Sequence, residues 1–284
     1  MFKRVYVEIG NICNLNCSFC PTLKRAPLQM TTEQFEYICR SLKGFTDSLF
    51  LHVMGEPLLH KEFEDILDIA ASYGYKINIT TNGTLIKEKE DAILKYAHNI
   101  HKISYSLHSF EANQKGYDID GYLDDIIDFA KKSANRGIYN IFRLWNLDTK
   151  EKLGANLKNE YIESKLHTNF PEEWQKRWSG YRLTQNIFLE YDGIFTWPVE
   201  SDTDCGEDGF CHGLLDQIAI LADGTVVPCC LDSEGEINLG NIFNEPLIKI
   251  VSSERTVKMR ENLLKGKLSE NLCRKCTYAN RFKR

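Results

Sequence analysis

The stretch GNICNLNCSFCP, residues 10–21, carries three cysteines, Cys13, Cys17 and Cys20, spaced C-x3-C-x2-C. It follows a short apolar run, Val5–Ile9, that reads as a buried strand. Four-cysteine sets close an iron–sulfur cluster. Three thiolates hold three irons of a [4Fe–4S] cube and leave the fourth open to a non-protein ligand, as an open metal position does in catalysis. The alternatives are a zinc site, which normally takes four closed ligands from CxxC pairs, and a disulfide framework. Disulfides are disfavoured in a chain that opens MFKRVYVEIG, straight into a strand and with no signal-peptide apolar region.

Working outward, strand and helix patterns alternate to about residue 190. Val5–Ile9, Leu49–Met54, Ile77–Thr80, Ile103–Leu107, Ile138–Leu144 and Ile187–Leu189 read as buried strands. Helical spacing fills the gaps. Thr31–Leu42 opens with a capping-type signal, and Phe63, Ile66, Leu67 and Ala70 recur on one face, as do Leu123, Ile126, Ile127 and Ala130. Alternating βα units predict a parallel sheet. In barrels of this kind the active site forms at the C-terminal strand ends, which is where the cysteine loop lies. Residues 146–186 are less periodic. Tyr161, Ile162 and Leu166 suggest one helix, and Trp174 and Trp178 suggest a face of another, packing into the core rather than covering a substrate.

The motif and its setting resemble the radical S-adenosylmethionine (radical SAM) superfamily. That resemblance implies a partial (β/α)6 barrel of the TIM-like α/β class. It implies that the open iron is chelated by the amine and carboxylate of S-adenosylmethionine (SAM). One electron then splits SAM into methionine and a 5′-deoxyadenosyl radical that takes hydrogen from a substrate. The protein's part is positioning and shielding. An electron donor such as flavodoxin or ferredoxin is implied as a partner. Carried onto this sequence, the resemblance marks Phe19, between the second and third cysteines, as an adenine contact. It marks Gly55 and Glu56, in the MGEP of residues 54–57, for the SAM ammonium, where a carboxylate and strand-edge carbonyls suit a cation. Asn82, with Thr81 in ITTNGT, and Ser106, in SYSLH, are further SAM-site candidates. His108 is a candidate to face the substrate, and Arg143, in IFRLWN, is a carboxylate clamp for SAM or substrate.

From about residue 200 glycine and acidic residues thicken in ESDTDCGEDGFCHG, and the alternation ends. Ile218–Leu221 and Thr225–Val227 flank Ala222-Asp223-Gly224, a hairpin signal. A Leu247–Leu264 helix and a CxxC pair, Cys273 and Cys276, follow. The pattern resembles the auxiliary-cluster domain called twitch, a truncated SPASM domain. It implies that Cys211, Cys229, Cys273 and Cys276 hold an auxiliary [4Fe–4S] cluster, with zinc as the alternative metal. Adjacent strand residues point to opposite faces, so Cys230 is expected to turn away from Cys229. There it is either a small buried residue or a thiol that donates hydrogen to a substrate radical. Cys205 is a spare in the linker, and Cys39 a small core residue.

The chain thus divides into a radical SAM partial barrel, 1–199, and an auxiliary-cluster domain, 200–284. Its 284 residues are 43% hydrophobic and 26% charged, an ordinary globular balance, and no apolar run reaches a membrane span. Ten cysteines, seven of them in clusters or pairs, suit metal ligation in a reducing cytoplasm. A net charge of −5 weighs against a nucleic-acid substrate. The expected function is hydrogen abstraction from a small molecule or a peptide, ending in oxidation, epimerisation or crosslinking. Small molecules and short peptides are favoured over leader-directed peptides, because strand one starts at residue 4. The rivals are a non-catalytic iron–sulfur electron carrier or sensor, and an RNA-modifying radical SAM enzyme.

Overall fold

The computed structural model describes residues 1–113, 118–147 and 156–282. In chain order the elements run β1 (Arg4–Val7), α1 (Thr32–Ser41), β2 (Ser48–Phe50), α2 (Phe63–Ser72), β3 (Lys76–Thr81), α3 (Glu90–Lys95), β4 (Ile100–Ser106), α4 (Ile119–Ala134), β5 (Tyr139–Leu144) and α5 (Asn159–Asn169). A hairpin of β6 (Gln175–Arg177) and β7 (Gly180–Thr184) leads into β8 (Ile187–Tyr191). The rest is β9 (Gln217–Ile220), β10 (Thr225–Val227), β11 (Gly240–Asn241), α6 (Leu247–Val251), α7 (Glu254–Leu264) and α8 (Asn271–Arg274).

Six parallel strands, β1-β2-β3-β4-β5-β8, form the heart of one eleven-stranded sheet. Helices join them, giving an α/β fold of the partial-barrel kind. The last strand is followed not by a sixth helix but by the segment that leads to β9, which returns to pair in parallel with the free edge of β1. The β9–β10 hairpin turns at Gly224, whose φ of +85° suits a residue without a Cβ.

Period-2 alternation sorts the strand side chains. Val5, Val7, Leu49, Ile77, Ile79, Ile103, Tyr105, Phe142, Leu144, Ile187 and Leu189 join the apolar faces of the helices in one core. The intervening residues face inward, and they are largely polar: Arg4, Tyr6 and Glu8 on β1 and its end, Asn78 and Thr80 on β3, Lys102, Ser104 and Ser106 on β4, Arg143 on β5, Glu190 on β8. Register stacks them in layers, with Phe50 beside Asn78, Asn78 beside Lys102, and Ser106 beside Arg143 beside Glu190. The barrel interior is therefore a lined chamber rather than an apolar plug.

Local details differ from the sequence reading in three places, and agree at the start of the first helix. α1 begins where its capping signal lies: Thr31 and Gln34 form a reciprocal capping box. The second strand, however, stops at Phe50, because the His52 N–H turns back to the Phe50 carbonyl; MGEP follows after a short loop. PEEWQKRW is not helical. Trp174 stacks on His167 at 3.6 Å and its indole donates to the Phe170 carbonyl, while Trp178 sits fully exposed at the β6–β7 turn. The expected 247–264 helix is two helices, because the Ser253 hydroxyl caps a fresh start by accepting from the Thr256 N–H. Residues 148–155 of the less periodic segment lie outside the described residues. Among the described residues no helix is long and apolar enough to cross a membrane.

Candidate active site

The cysteine loop lies over the C-terminal end of β1. Cys20 and Cys17 are joined: the Cys20 N–H donates to the Cys17 carbonyl at 3.0 Å, and the Cys20 thiol donates to Cys17. That hydrogen bond lowers the Cys17 thiol and raises that of Cys20, so Cys17 ionises first. Asn113 holds its side-chain amide 3.0 Å from the Cys17 sulfur and accepts from the Asn16 N–H with its oxygen. Asn82 does the same for Cys13 at 3.8 Å. Burial raises the Cys13 thiol. Amide donors beside thiolates stabilise their charge in a metal complex.

Gly55 and Glu56 sit directly beneath this loop. Gly55 has φ +78°, and a Cβ there would lie 2.5 Å from the Gly10 carbonyl oxygen, so only glycine lets the two loops touch. The buried Glu56 carboxylate accepts from the Thr81 hydroxyl at 2.8 Å, the Asn82 N–H at 2.7 Å and the Leu58 N–H at 3.0 Å. Burial still pushes its carboxyl up to about 7, the three donors only partly compensating. Glu56 thus fixes the end of β3, and with it Asn82, against the cysteine loop.

Phe19, Cys20, Gly55, Ser106, His108, Arg143 and Cys230 line one cavity of about 230 Å³. Phe19 packs on the His108 ring with centroids 4.8 Å apart. His108 is buried, its Nδ1 lies 3.1 Å from the Arg143 carbonyl, and desolvation lowers it to about 4, so its ring is neutral near neutral pH. The Arg143 guanidinium lies 4.3 Å over the Trp145 ring. Trp197 closes the wall by donating to the Phe19 carbonyl at 3.1 Å.

At the far side, Cys211, Cys229, Cys273 and Cys276 line a single small pocket walled by Pro198, Leu231, Ile237, Leu268 and Leu272. The four thiols are all raised, burial being the main cause in each. Four inward thiols in an apolar shell are the donor set of a cysteine-bound cluster. Among the described residues no group of His, Cys, Asp or Glu is gathered as a single metal ion would require. Cys230 does not line that pocket. Its thiol is hydrogen-bonded with the Tyr6 hydroxyl and faces the barrel chamber. Cys39 is buried in the core, and all ten cysteines are free thiols.

A second chamber, about 360 Å³, reaches Cys211, Cys229 and Cys276 and shares His52, Thr80, Arg143, Trp145, Phe195, Cys230 and Leu231 with the first. Its residues Arg4, Tyr6, His52 and Lys102 carried no motif in the sequence. The usable signal was a charged or aromatic residue at the inward phase of an otherwise apolar strand.

Family comparison agrees with this geometry. The model of the radical SAM superfamily matches residues 7–149, and that of an iron–sulfur cluster-binding domain, SPASM, matches residues 211–277. The 7-carboxy-7-deazaguanine synthase of Aquifex aeolicus (strain VF5) is 33% identical over 89 residues, 31% of this chain and 39% of that protein. The sporulation killing factor maturation protein SkfB of Bacillus subtilis (strain 168) is 23% identical over 285 residues, 89% of this chain and 66% of that protein. The chain thus spans less than two thirds of the length of either relative. Among solved structures, BtrN in complex with AdoMet and 2-DOIA superposes with a TM-score of 0.61 at 16% identity, covering 98% of this chain and 93% of that one. Identity that low speaks for the fold alone.

Proposed function

The chain belongs to the radical SAM superfamily, and from that premise we propose that it reductively cleaves SAM and abstracts hydrogen from a small-molecule or peptide substrate held in the barrel chamber. The SAM-binding cluster of the family, when bound, supplies the electron for that cleavage. Cys13, Cys17 and Cys20 would hold it, with Asn113 and Asn82 donating to their sulfurs. Phe19, Gly55, Glu56, Asn82, Ser106 and Arg143 would form the SAM site, with the Phe19 and Trp197 rings excluding water. Cys211, Cys229, Cys273 and Cys276 would hold the auxiliary cluster, in a unit that starts near residue 200.

The single observation behind this reading is the pair of adjoining chambers between the two thiol sets, one lined by Cys20 and the other by Cys211, Cys229 and Cys276, with Arg143, His52 and Cys230 common to both. A substrate there would meet the radical source from one end and an electron acceptor from the other. SkfB, a maturation protein, and BtrN, crystallised with 2-DOIA, lend the two substrate classes. Oxidation, epimerisation and crosslinking are the reactions in view, with Cys230 and the neutral His108 as the groups nearest such a substrate. The test is anaerobic incubation of the reconstituted protein with SAM and reductant, reading 5′-deoxyadenosine. Production by the wild type and none by the Cys13/Cys17/Cys20 triple alanine variant is expected. Equal production by that variant refutes the assignment.

A further inference from the structure

The second chamber, the lower of the two, gathers cations and, among the described residues, has no carboxylate in its wall. Arg4, Lys102 and Arg143 line it. Each cation follows from strand phase: Arg4 shares the inward face of β1 with Tyr6, Lys102 that of β4 with Ser104 and Ser106, and Arg143 lies beside Ser106 on β5. Of the charged groups acting on Lys102, Arg143 and Arg4 repel its charge and Glu190 alone attracts it. Glu190 stands 3.9 Å from the Arg143 Nε, beyond hydrogen-bond reach, and that Nε is a buried donor without a partner. The Lys102 ammonium rests 5.8 Å from the Phe50 ring centroid. His52, held neutral by burial at about 3, adds a buried Nδ1 that also lacks a partner.

Gathering three like charges in a half-buried chamber is unfavourable unless something anionic enters. Strand positions of this kind are readily filled by uncharged residues, so the cluster points to a ligand. We propose that the substrate of this chamber carries a dianionic oxyanion, a phosphate ester by chemical class, held by Lys102 and Arg4 at the deep end. With Arg143 given to SAM and standing beside Glu190, Lys102 and Arg4 remain, and these two cations match the two charges of a phosphate ester where a single carboxylate would leave one unmatched. Arginine and lysine together offer the fork and the point charge that phosphate oxygens accept. The proposal rests on the reading of this chamber as the substrate site. Two ends are then distinguished: the radical source above, beside Cys20 and Gly55, and the anion below, which sets which substrate carbon faces upward.

The test uses the full chain reconstituted with both clusters and saturated with SAM, reductant omitted, so that the open iron is occupied and no turnover occurs. Calorimetric titration with inorganic phosphate and with acetate is compared across wild type, Lys102→Met, Arg4→Gln and the surface control Lys249→Met. Phosphate should bind more tightly than acetate. Lys102→Met and Arg4→Gln should each weaken phosphate about tenfold or more, since each removes a charge-assisted contact. Lys249→Met should leave it unchanged, with iron content equal in all four. Unaltered phosphate affinity in both chamber variants overturns the proposal, as does absence of phosphate binding to wild type or tighter binding of acetate. If Lys102→Met instead shifts the electron paramagnetic resonance signal of the auxiliary cluster, read on separately reduced samples, while phosphate binds as before, the cations serve the cluster and the proposal also falls. Uncoupled 5′-deoxyadenosine formation by wild type, measured with reductant, keeps the two questions apart. Its presence without phosphate binding sinks only the oxyanion site; its absence sinks the functional reading itself.

Discussion

Arg25 lays its guanidinium on Glu8 in a two-pronged ion pair, with N–O distances of 2.8 and 2.7 Å. Glu8 is fully buried at the end of β1 and also accepts from the Met54 and Ala222 N–H groups. Arg25, just beyond the cysteine loop, donates as well to the Ser233 carbonyl. One ion pair therefore ties four segments together: the first strand, the cysteine loop, the MGEP loop and the C-terminal hairpin.

Removing one partner strands the other. Arg25→Met should cost about 3–5 kcal/mol of stability, the usual penalty for leaving a buried charge unpaired. Urea unfolding of the variant measures it, and the Arg25→Met/Glu8→Gln double variant should recover part of the loss. A single-variant cost below about 1 kcal/mol, as for an exposed pair, would contradict the clamp.

Replacing Cys273 and Cys276 with alanine should halve the iron of the reconstituted protein, about eight per chain for two four-iron clusters. Uncoupled SAM cleavage should survive, because those thiols lie away from the cavity lined by Cys20 and Gly55. Substrate turnover should stop. Loss of the uncoupled reaction as well would mean that the two sites are not separable.

Cys230→Ala should leave the iron count intact, since Cys229, not Cys230, lines the four-thiol pocket. An iron count lowered by half would make Cys230 a ligand. With normal iron, continued turnover excludes a hydrogen-donor role and favours oxidation, with the auxiliary cluster taking the electron. Arrested turnover favours epimerisation.

Glu56 should make stability depend on pH. Burial pushes its carboxyl up to about 7, above the roughly 4.3 of an unfolded chain. As pH rises the unfolded chain gives up this proton first. The stabilisation is complete below about pH 4 and is lost as pH climbs through the folded value. Glu56→Gln has no proton to lose, so its unfolding free energy should vary less between those limits. An identical pH profile would reject the raised carboxyl.

The same Glu56→Gln variant should also bind SAM more weakly, by roughly 1.5–3 kcal/mol for a charge-assisted bond, with iron content little changed. An unchanged SAM dissociation constant would leave Glu56 as an anchor for Thr81 and Asn82 alone.

Much of the fold was legible because its signals are local. The cysteine spacing, the capping box at Thr31 and Gln34, the Asp223-Gly224 turn and the CxxC pair are each written within a few residues. The alternation of apolar runs with helical faces gave the parallel sheet, since strands covered by helices must be apolar on the covered face. The misreadings were local ambiguities that packing resolved. Trp174 and Trp178 have helical spacing, yet Trp174 is drawn onto His167 and the chain turns at Trp178. Leu247–Leu264 has a continuous helical pattern, yet the Ser253 cap restarts it.

By itself the sequence determined the spacing of the cysteines and the alternation of strands and helices along the chain, because side-chain period acts over short range. Only the tertiary structure decided what those thiols surround. Arg4, Lys102 and Arg143 lie far apart in the chain and share a chamber because strand phase and register turn all three inward. Glu8 meets Arg25 and Ala222 because β9 returns to the edge of β1. Such meetings depend on which strand pairs with which, and no window of sequence carries that.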